Sequence, residues 1–109
     1  MQDKITSVLK AIADPTRREL FHALVIATTA MPITQVAAQF SMTRQGVTKH
    51  LKVLNEAELV VFKTSGRERY CSAKIEPLQE VKKWLSFYDS FWDTTLNDLE
   101  NYLNRTPEA

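Results

Sequence analysis

Apolar residues in the first half of the chain return at helical intervals, and the polar residues between them carry start signals. Ile5, Val8, Leu9 and Ile12 recur at about 3.6-residue spacing behind Asp3, whose carboxylate can accept from the first free N–H groups, so residues 4–12 are predicted helical. Asp14 followed by Pro15 repeats the start signal, because the acid caps and proline at the first helical position lacks only an N–H that has no intrahelical partner. Leu20, Leu24 and Ala27, with Phe21 and Val25 beside them, form the inward stripe of this second helix, and Arg17, Arg18 and Glu19 are expected in solvent. It should end near Thr28 and Thr29.

Met31-Pro32 is predicted extended, since proline disfavours the helical region for the residue before it. Thr34 is the expected cap of a short third helix with Val36, Ala37 and Phe40 on its apolar side, and Ser41-Met42-Thr43 turns the chain into a fourth. Thr43 caps that helix, which Val47, Leu51 and Leu54 anchor. Leu59-Val60-Val61-Phe62 is too short and too β-branched for another helix; with Tyr70-Cys71-Ser72 it predicts a hairpin whose tip, Lys63 to Arg69, is basic. From residue 76 to 104 no breaker follows Pro77, and two apolar rows recur in sevens: Leu78, Leu85, Trp92, Leu99 and Val81, Tyr88, Thr95, Tyr102. One long helix of ~40 Å is expected, longer than the ~26 Å spanned by twice the radius of gyration of a compact domain this size. The overhanging part shows Trp84, Phe87, Phe91 and Trp92, and a second copy of the chain is the simplest cover for them.

The 109 residues, 44% hydrophobic and 25% charged, suit one ordinary globular domain, 1–109, with a helix-turn-helix at 34–55, a wing at 59–73 and a dimerisation helix at 76–104. The nine uncharged residues from Ala23 to Met31 fall far short of the ~20 that a membrane helix needs, and Asp3 and Lys4 interrupt any secretory leader. The expectation is a cytoplasmic protein that does not span a membrane. A lone cysteine, Cys71, closes no internal disulfide, and no nucleophile elbow, Gly-rich phosphate loop or metal-ligand cluster points to an enzyme, a cofactor or a metal. Charge is unevenly placed: residues 1–74 carry 11 Lys/Arg against 6 Asp/Glu, and residues 75–109 carry 3 against 7. One end is therefore suited to a polyanion and the other is repelled by it.

Helix, short turn, helix and basic hairpin in that order outline a winged helix-turn-helix, in which the second helix of the pair enters the DNA major groove. On the expected outer face of the fourth helix, Arg44 and Gln45 suit bidentate contacts with guanine and adenine, and Thr48 suits a thymine methyl. Lys49, Lys52 and the amides at the Thr43 end suit phosphates. Lys63, Ser65, Arg67 and Arg69, around Gly66, are the candidate wing contacts. Double-stranded DNA is thus the expected partner. A protein-interaction module that docks a partner through the aromatic helix is the alternative. His50 is open to a structural role, phosphate donation or pH sensing; Cys71 is open to packing or oxidant sensing, should Arg69 or Lys74 lower its pKa.

Three segments resemble the ArsR/SmtB family of bacterial winged-helix repressors: Ala11-Ile12-Ala13-Asp14-Pro15-Thr16-Arg17-Arg18 its opening signature, Val47-Thr48-Lys49-His50-Leu51-Lys52-Val53-Leu54 its recognition helix, and Gly66-Arg67-Glu68-Arg69-Tyr70 its wing. The resemblance implies a mainly helical winged fold and a homodimer built from the first and last helices, which blocks transcription from an inverted repeat. Ile5, Val8 and Leu9, with Leu85, Tyr88, Trp92 and Leu99, are the expected dimer contacts. Two departures bear on sensing. The third helix, residues 33–40, has no paired cysteines, and Asp89, Asp93 and Asp98 have no histidine beside them, so a non-metal-sensing member with an effector that the sequence does not name is expected. Ser41 stands where the family often has glycine.

Overall fold

The computed structural model describes residues 3–105, the side chains of Asp93, Thr94 and Arg105 excepted. The two ends of the expected 1–109 domain and the Asp93 carboxylate thus lie outside the described residues. The elements are α1 (Lys4–Ile12), α2 (Pro15–Ala27), β1 (Met31–Pro32), α3 (Ile33–Gln39), α4 (Arg44–Glu56), β2 (Val60–Ser65), β3 (Glu68–Ala73), α5 (Leu78–Ser86) and α6 (Asp89–Arg105).

Local chemistry sets the starts of α1, α2 and α4. Asp3 accepts from the Thr6 N–H at 2.8 Å, Asp14 from the Arg17 N–H at 3.0 Å and Thr43 from the Gly46 N–H at 3.0 Å. Like α5, the third helix has no such cap. It begins at Ile33 behind an extended Pro32 with no side-chain cap, so Thr34 lies inside it and is not its cap. Burial of Ile33, 1% exposed, fixes the start more strongly than a surface hydroxyl would.

Helix ends use left-handed residues that are not glycine: Thr28, Ser41 and Glu58 have φ of 62°, 51° and 62°. At Ser41 the Met42 N–H reaches back to the Ala37 carbonyl at 3.0 Å, and at Glu58 the Leu59 N–H reaches the Leu54 carbonyl at 3.0 Å, closing α3 and α4. Ser41 thus adopts the conformation for which glycine is usual.

The hairpin is part of a larger sheet than the sequence predicts. β3 lies in the centre, antiparallel to β2 on one side and to β1 on the other, with Met31 opposite Cys71 and Pro32 opposite Tyr70. Two residues with no alternation of their own carry no strand signal; their pairing depends on a partner forty residues away.

The core joins α1 to the helix-turn-helix and the wing root, through Val8, Leu20, Leu51, Leu54, Leu59 and Val60, all fully buried. Val8, expected at the dimer interface, is covered by its own chain instead, and Ile5 packs partly against the same core. Arg17, expected in solvent, is half-buried. Its Nε and Nη2 donate to the Ala11 and Lys10 carbonyls at 2.6 and 3.2 Å, and Arg18 Nη1 donates to the Ile12 carbonyl at 2.7 Å. These guanidinium groups satisfy the last carbonyls of α1 and hold it against α2.

The expected continuous C-terminal helix is two helices. The Phe87 and Tyr88 N–H groups bond three residues back, to the Trp84 and Leu85 carbonyls at 3.2 and 2.9 Å, and Ser86 Oγ donates to the Lys83 carbonyl at 2.7 Å. A serine hydroxyl on a carbonyl of the preceding turn, with three-residue spacing of the backbone bonds, tightens the helix there without proline or glycine. Beyond the break every described side chain of α6 is exposed, and the molecule measures 72 × 33 × 22 Å.

Candidate nucleic-acid interface

The turn of residues 41–43 brings α3 and α4 together over the small, buried Ala37, and Val47 seals the contact from inside. At the start of α4, glycine keeps the cap closed: a Cβ on Gly46 would stand 3.1 Å from Thr43 Oγ1. The Thr43 hydroxyl oxygen is therefore engaged by the cap. With 100° between successive helical residues, Arg44, Gln45, Thr48, Lys49 and Lys52 fall within an arc of about 140° that excludes the buried Val47, Leu51 and Leu54.

Arg44, Gln45, Lys49 and Lys52 are exposed, and among the described residues no carboxylate lies within ion-pair distance of the three cations. Thr48 is half-buried and its Oγ1 donates to the Arg44 carbonyl at 2.7 Å, which ties down its hydroxyl. This face is a row of unpaired donors and positive charge on a rigid helix, which can meet phosphates and base edges together.

The wing falls within the expected 59–73, but its strands are longer and its turn shorter than predicted. Lys63 and Ser65 belong to β2, Arg69 belongs to β3, and only Gly66-Arg67 forms the turn. Gly66 has φ 62°, at the first central position of a two-residue hairpin turn, where glycine is favoured. Strand alternation separates the candidates: Lys63 and Ser65 share the outer face with Glu68 and Tyr70, whereas Arg69 shares the inner face with Phe62 and Cys71. The Arg69 guanidinium carbon lies 4.2 Å from the centre of the Phe62 ring. Arg67 is exposed at the tip.

Two contacts of this region go beyond the residues singled out from the sequence. Asn55 Nδ2 donates to the Val60 carbonyl at 2.7 Å, tying the last turn of α4 to the root of the wing. His50 is half-buried beside Asp14; the Arg17 N–H first, and then the charges of Arg17 and His50, hold the Asp14 carboxyl below the usual carboxylate range. An asparagine one turn before a strand, and basic residues just past a helix end, are the signals that carry the Asn55 and Arg17 contacts.

Cys71 is buried, its Sγ donates to the Met31 carbonyl at 3.6 Å, and burial pushes the thiol up to about 11. Oxidant sensing calls for an accessible thiol with a lowered pKa, and Cys71 has the opposite setting, that of a residue packed between the sheet and the helices. Among the described residues no three His, Cys, Asp or Glu side chains converge as a metal site would require.

A helix-turn-helix domain family matches residues 12–61. The transcriptional repressor SdpR of Bacillus subtilis (strain 168) is 30% identical over 81 residues, 74% of this chain and 88% of that protein. The crystal structure of an ArsR family transcriptional regulator, RHA00566, superposes with a TM-score of 0.71 at 27% identity, over 83% of this chain and 91% of that one. The chain belongs to the ArsR family. A winged helix-turn-helix domain from Mycobacterium bovis, 20% identical, has the same fold, with a TM-score of 0.61 over 84% of this chain and 80% of that one. This ArsR-family protein is therefore a DNA-binding transcriptional regulator with a winged helix-turn-helix, and its family is not one of enzymes. None of its described helices is long and apolar enough to cross a membrane.

Proposed function

We propose that the chain is a cytoplasmic, non-catalytic repressor, acting as a homodimer whose two α4 helices enter successive major grooves of a near-palindromic operator, ~34 Å apart. The observation that carries this reading is the unpaired cationic face of α4, with the basic wing attached to its C-terminal end through Asn55. Arg44 and Gln45 read base edges; Lys49, Lys52, Lys63 and Arg67 bind phosphates and set the register.

Dimerisation is supported by the apolar row left open on the C-terminal helices: Leu85, Tyr88, Trp92 and Leu99 are 40–63% exposed, and Leu9 on α1 is 38% exposed. The related Mycobacterium bovis domain is homodimeric, and SdpR is a repressor. The acidic character of residues 75–109 suits an end held away from DNA.

Fluorescence anisotropy on the upstream DNA of the protein's own gene and on a scrambled duplex, each across a salt series, tests the proposal. Selective binding with a steep negative salt slope is expected. Arg44→Ala should cost ~1–3 kcal/mol on the operator and relax preference at one position. Absence of binding to either duplex by a folded dimer would turn the reading toward the aromatic helix as a docking surface for another protein.

A further inference from the structure

The three cations of the wing differ in how they are held. Lys63 and Arg67 are exposed on strand and turn, and no ring contact or ion pair fixes them among the described residues. Arg69 is half-buried, and its guanidinium carbon lies over Phe62, 4.2 Å from the ring centre. The pair is diagonal across the ladder, since Phe62 stands directly opposite Cys71 and Arg69 is two residues earlier on the same strand. Phe62 is in turn packed against the core at the foot of the wing. A guanidinium held over a ring by cation–π attraction spends none of its N–H donors on an acceptor, and no hydrogen bond or ion pair takes up those of Arg69 among the described residues. Most surface arginines give up rotamer freedom when they bind; this one has already lost much of it.

The face also matters. Val60, Phe62, Cys71 and Arg69 share the side of the ribbon that covers the helix-turn-helix at its root, so Arg69 looks into the angle between wing and helices, while Lys63 looks away from it. We infer that Arg69 is a pre-positioned phosphate contact for the DNA strand that passes between wing and recognition helix, and that Phe62 is a positioning residue for DNA binding that acts through it. This rests on the operator-binding reading above.

The full-length protein and its Arg69→Ala, Phe62→Leu, Phe62→Tyr and Phe62→Leu/Arg69→Ala variants would be titrated on the upstream duplex over a salt series, with melting curves to verify folding. Arg69→Ala should raise Kd about tenfold and make the salt slope shallower by about two, one for each protomer of the dimer. Phe62→Leu should raise Kd about fivefold with the slope unchanged, since the charge stays and only its placement is lost. Phe62→Tyr, which retains the ring, should bind as the parent does, and Phe62→Leu should have no further effect once Arg69 is alanine. An unchanged slope in Arg69→Ala, or an equal loss from Phe62→Leu in both backgrounds, would overturn the inference and leave the pair a packing contact. Failure of the parent protein to bind any duplex would overturn the operator reading itself, a result distinct from either.

Discussion

Replacing Ser41 by glycine tests whether the helix-turn-helix angle is held at the expense of backbone strain. Ser41 has φ 51°, and the Met42 and Ser41 N–H groups bond back to Ala37 and Ala38 at 3.0 and 3.3 Å, so the left-handed conformation is imposed by the closure of α3. A side chain in that region costs ~1–2 kcal/mol. Glycine removes the cost but gives the unfolded chain more freedom, which returns ~0.5–1 kcal/mol of it. The balance is a gain of ~0.5–1 kcal/mol, or about 2–6 °C in Tm for a domain of this size. Differential scanning calorimetry at one fixed protein concentration measures it, because the proposed dimerisation would make Tm depend on concentration. Ser41→Ala, which keeps a Cβ in the strained position, should melt no higher than the parent, and operator affinity of Ser41→Gly should be unchanged. A Ser41→Gly protein that melts at or below the parent temperature would refute the argument, by showing that the serine is held by something other than the backbone closure.

Three other substitutions or titrations probe separate parts of the molecule. Trp92→Asp places a charge in the exposed apolar row of α6, so sedimentation should show monomers, and those monomers should bind DNA weakly; a dimer of unchanged mass would contradict this. Cys71 should resist iodoacetamide in the folded protein and react on unfolding. Because its folded pKa is raised to about 11 from 9.0, its contribution to stability is complete below pH 9 and is lost between pH 9 and 11, which Cys71→Ala should show as a flatter alkaline melting profile. Asp14 is shifted the other way, held below 3.8 chiefly by the Arg17 N–H, so its contribution is complete above that pH and fades as pH falls through the lower folded value. Asp14→Asn should flatten that acid limb of the Tm–pH curve.

What the sequence made legible follows the range of the interactions concerned. Caps at Asp3, Asp14 and Thr43 depend on atoms three residues away, and the helical periods behind them announce α1, α2 and α4. The outer row of α4 follows from period alone. Longer-range contacts were not legible in the same way. β1 exists because β3 offers it an edge, α3 starts where Ile33 finds the core, and Val8 faces inward because α1 is covered on that side by its own chain. Arg17 looks like surface in any helical wheel, yet α1 ends within reach of its guanidinium. The interruption at Phe87-Tyr88 comes from a serine hydroxyl competing for a carbonyl, in a stretch whose heptads continue across it. In the wing, alternation places Arg69 and Lys63 on opposite faces, a distinction hidden when the segment is read as one basic loop.

The central position of β3 has a consequence for how this wing can vary. A two-stranded ribbon can slide by a pair of residues and lose only its end bonds, but β3 is held along both edges, to Val60–Ser65 on one side and to Met31-Pro32 on the other. Any slip would tear Cys71 from Met31, and a slip by one residue would also turn the inner row outward. Insertions and deletions are therefore confined to the Gly66-Arg67 tip, which touches neither partner of the root. Proline at position 32, with no N–H to offer, also closes that margin of the sheet to further strands. The wing is thus free to change its reach while its foot, and the angle at which it leaves the domain, stay fixed.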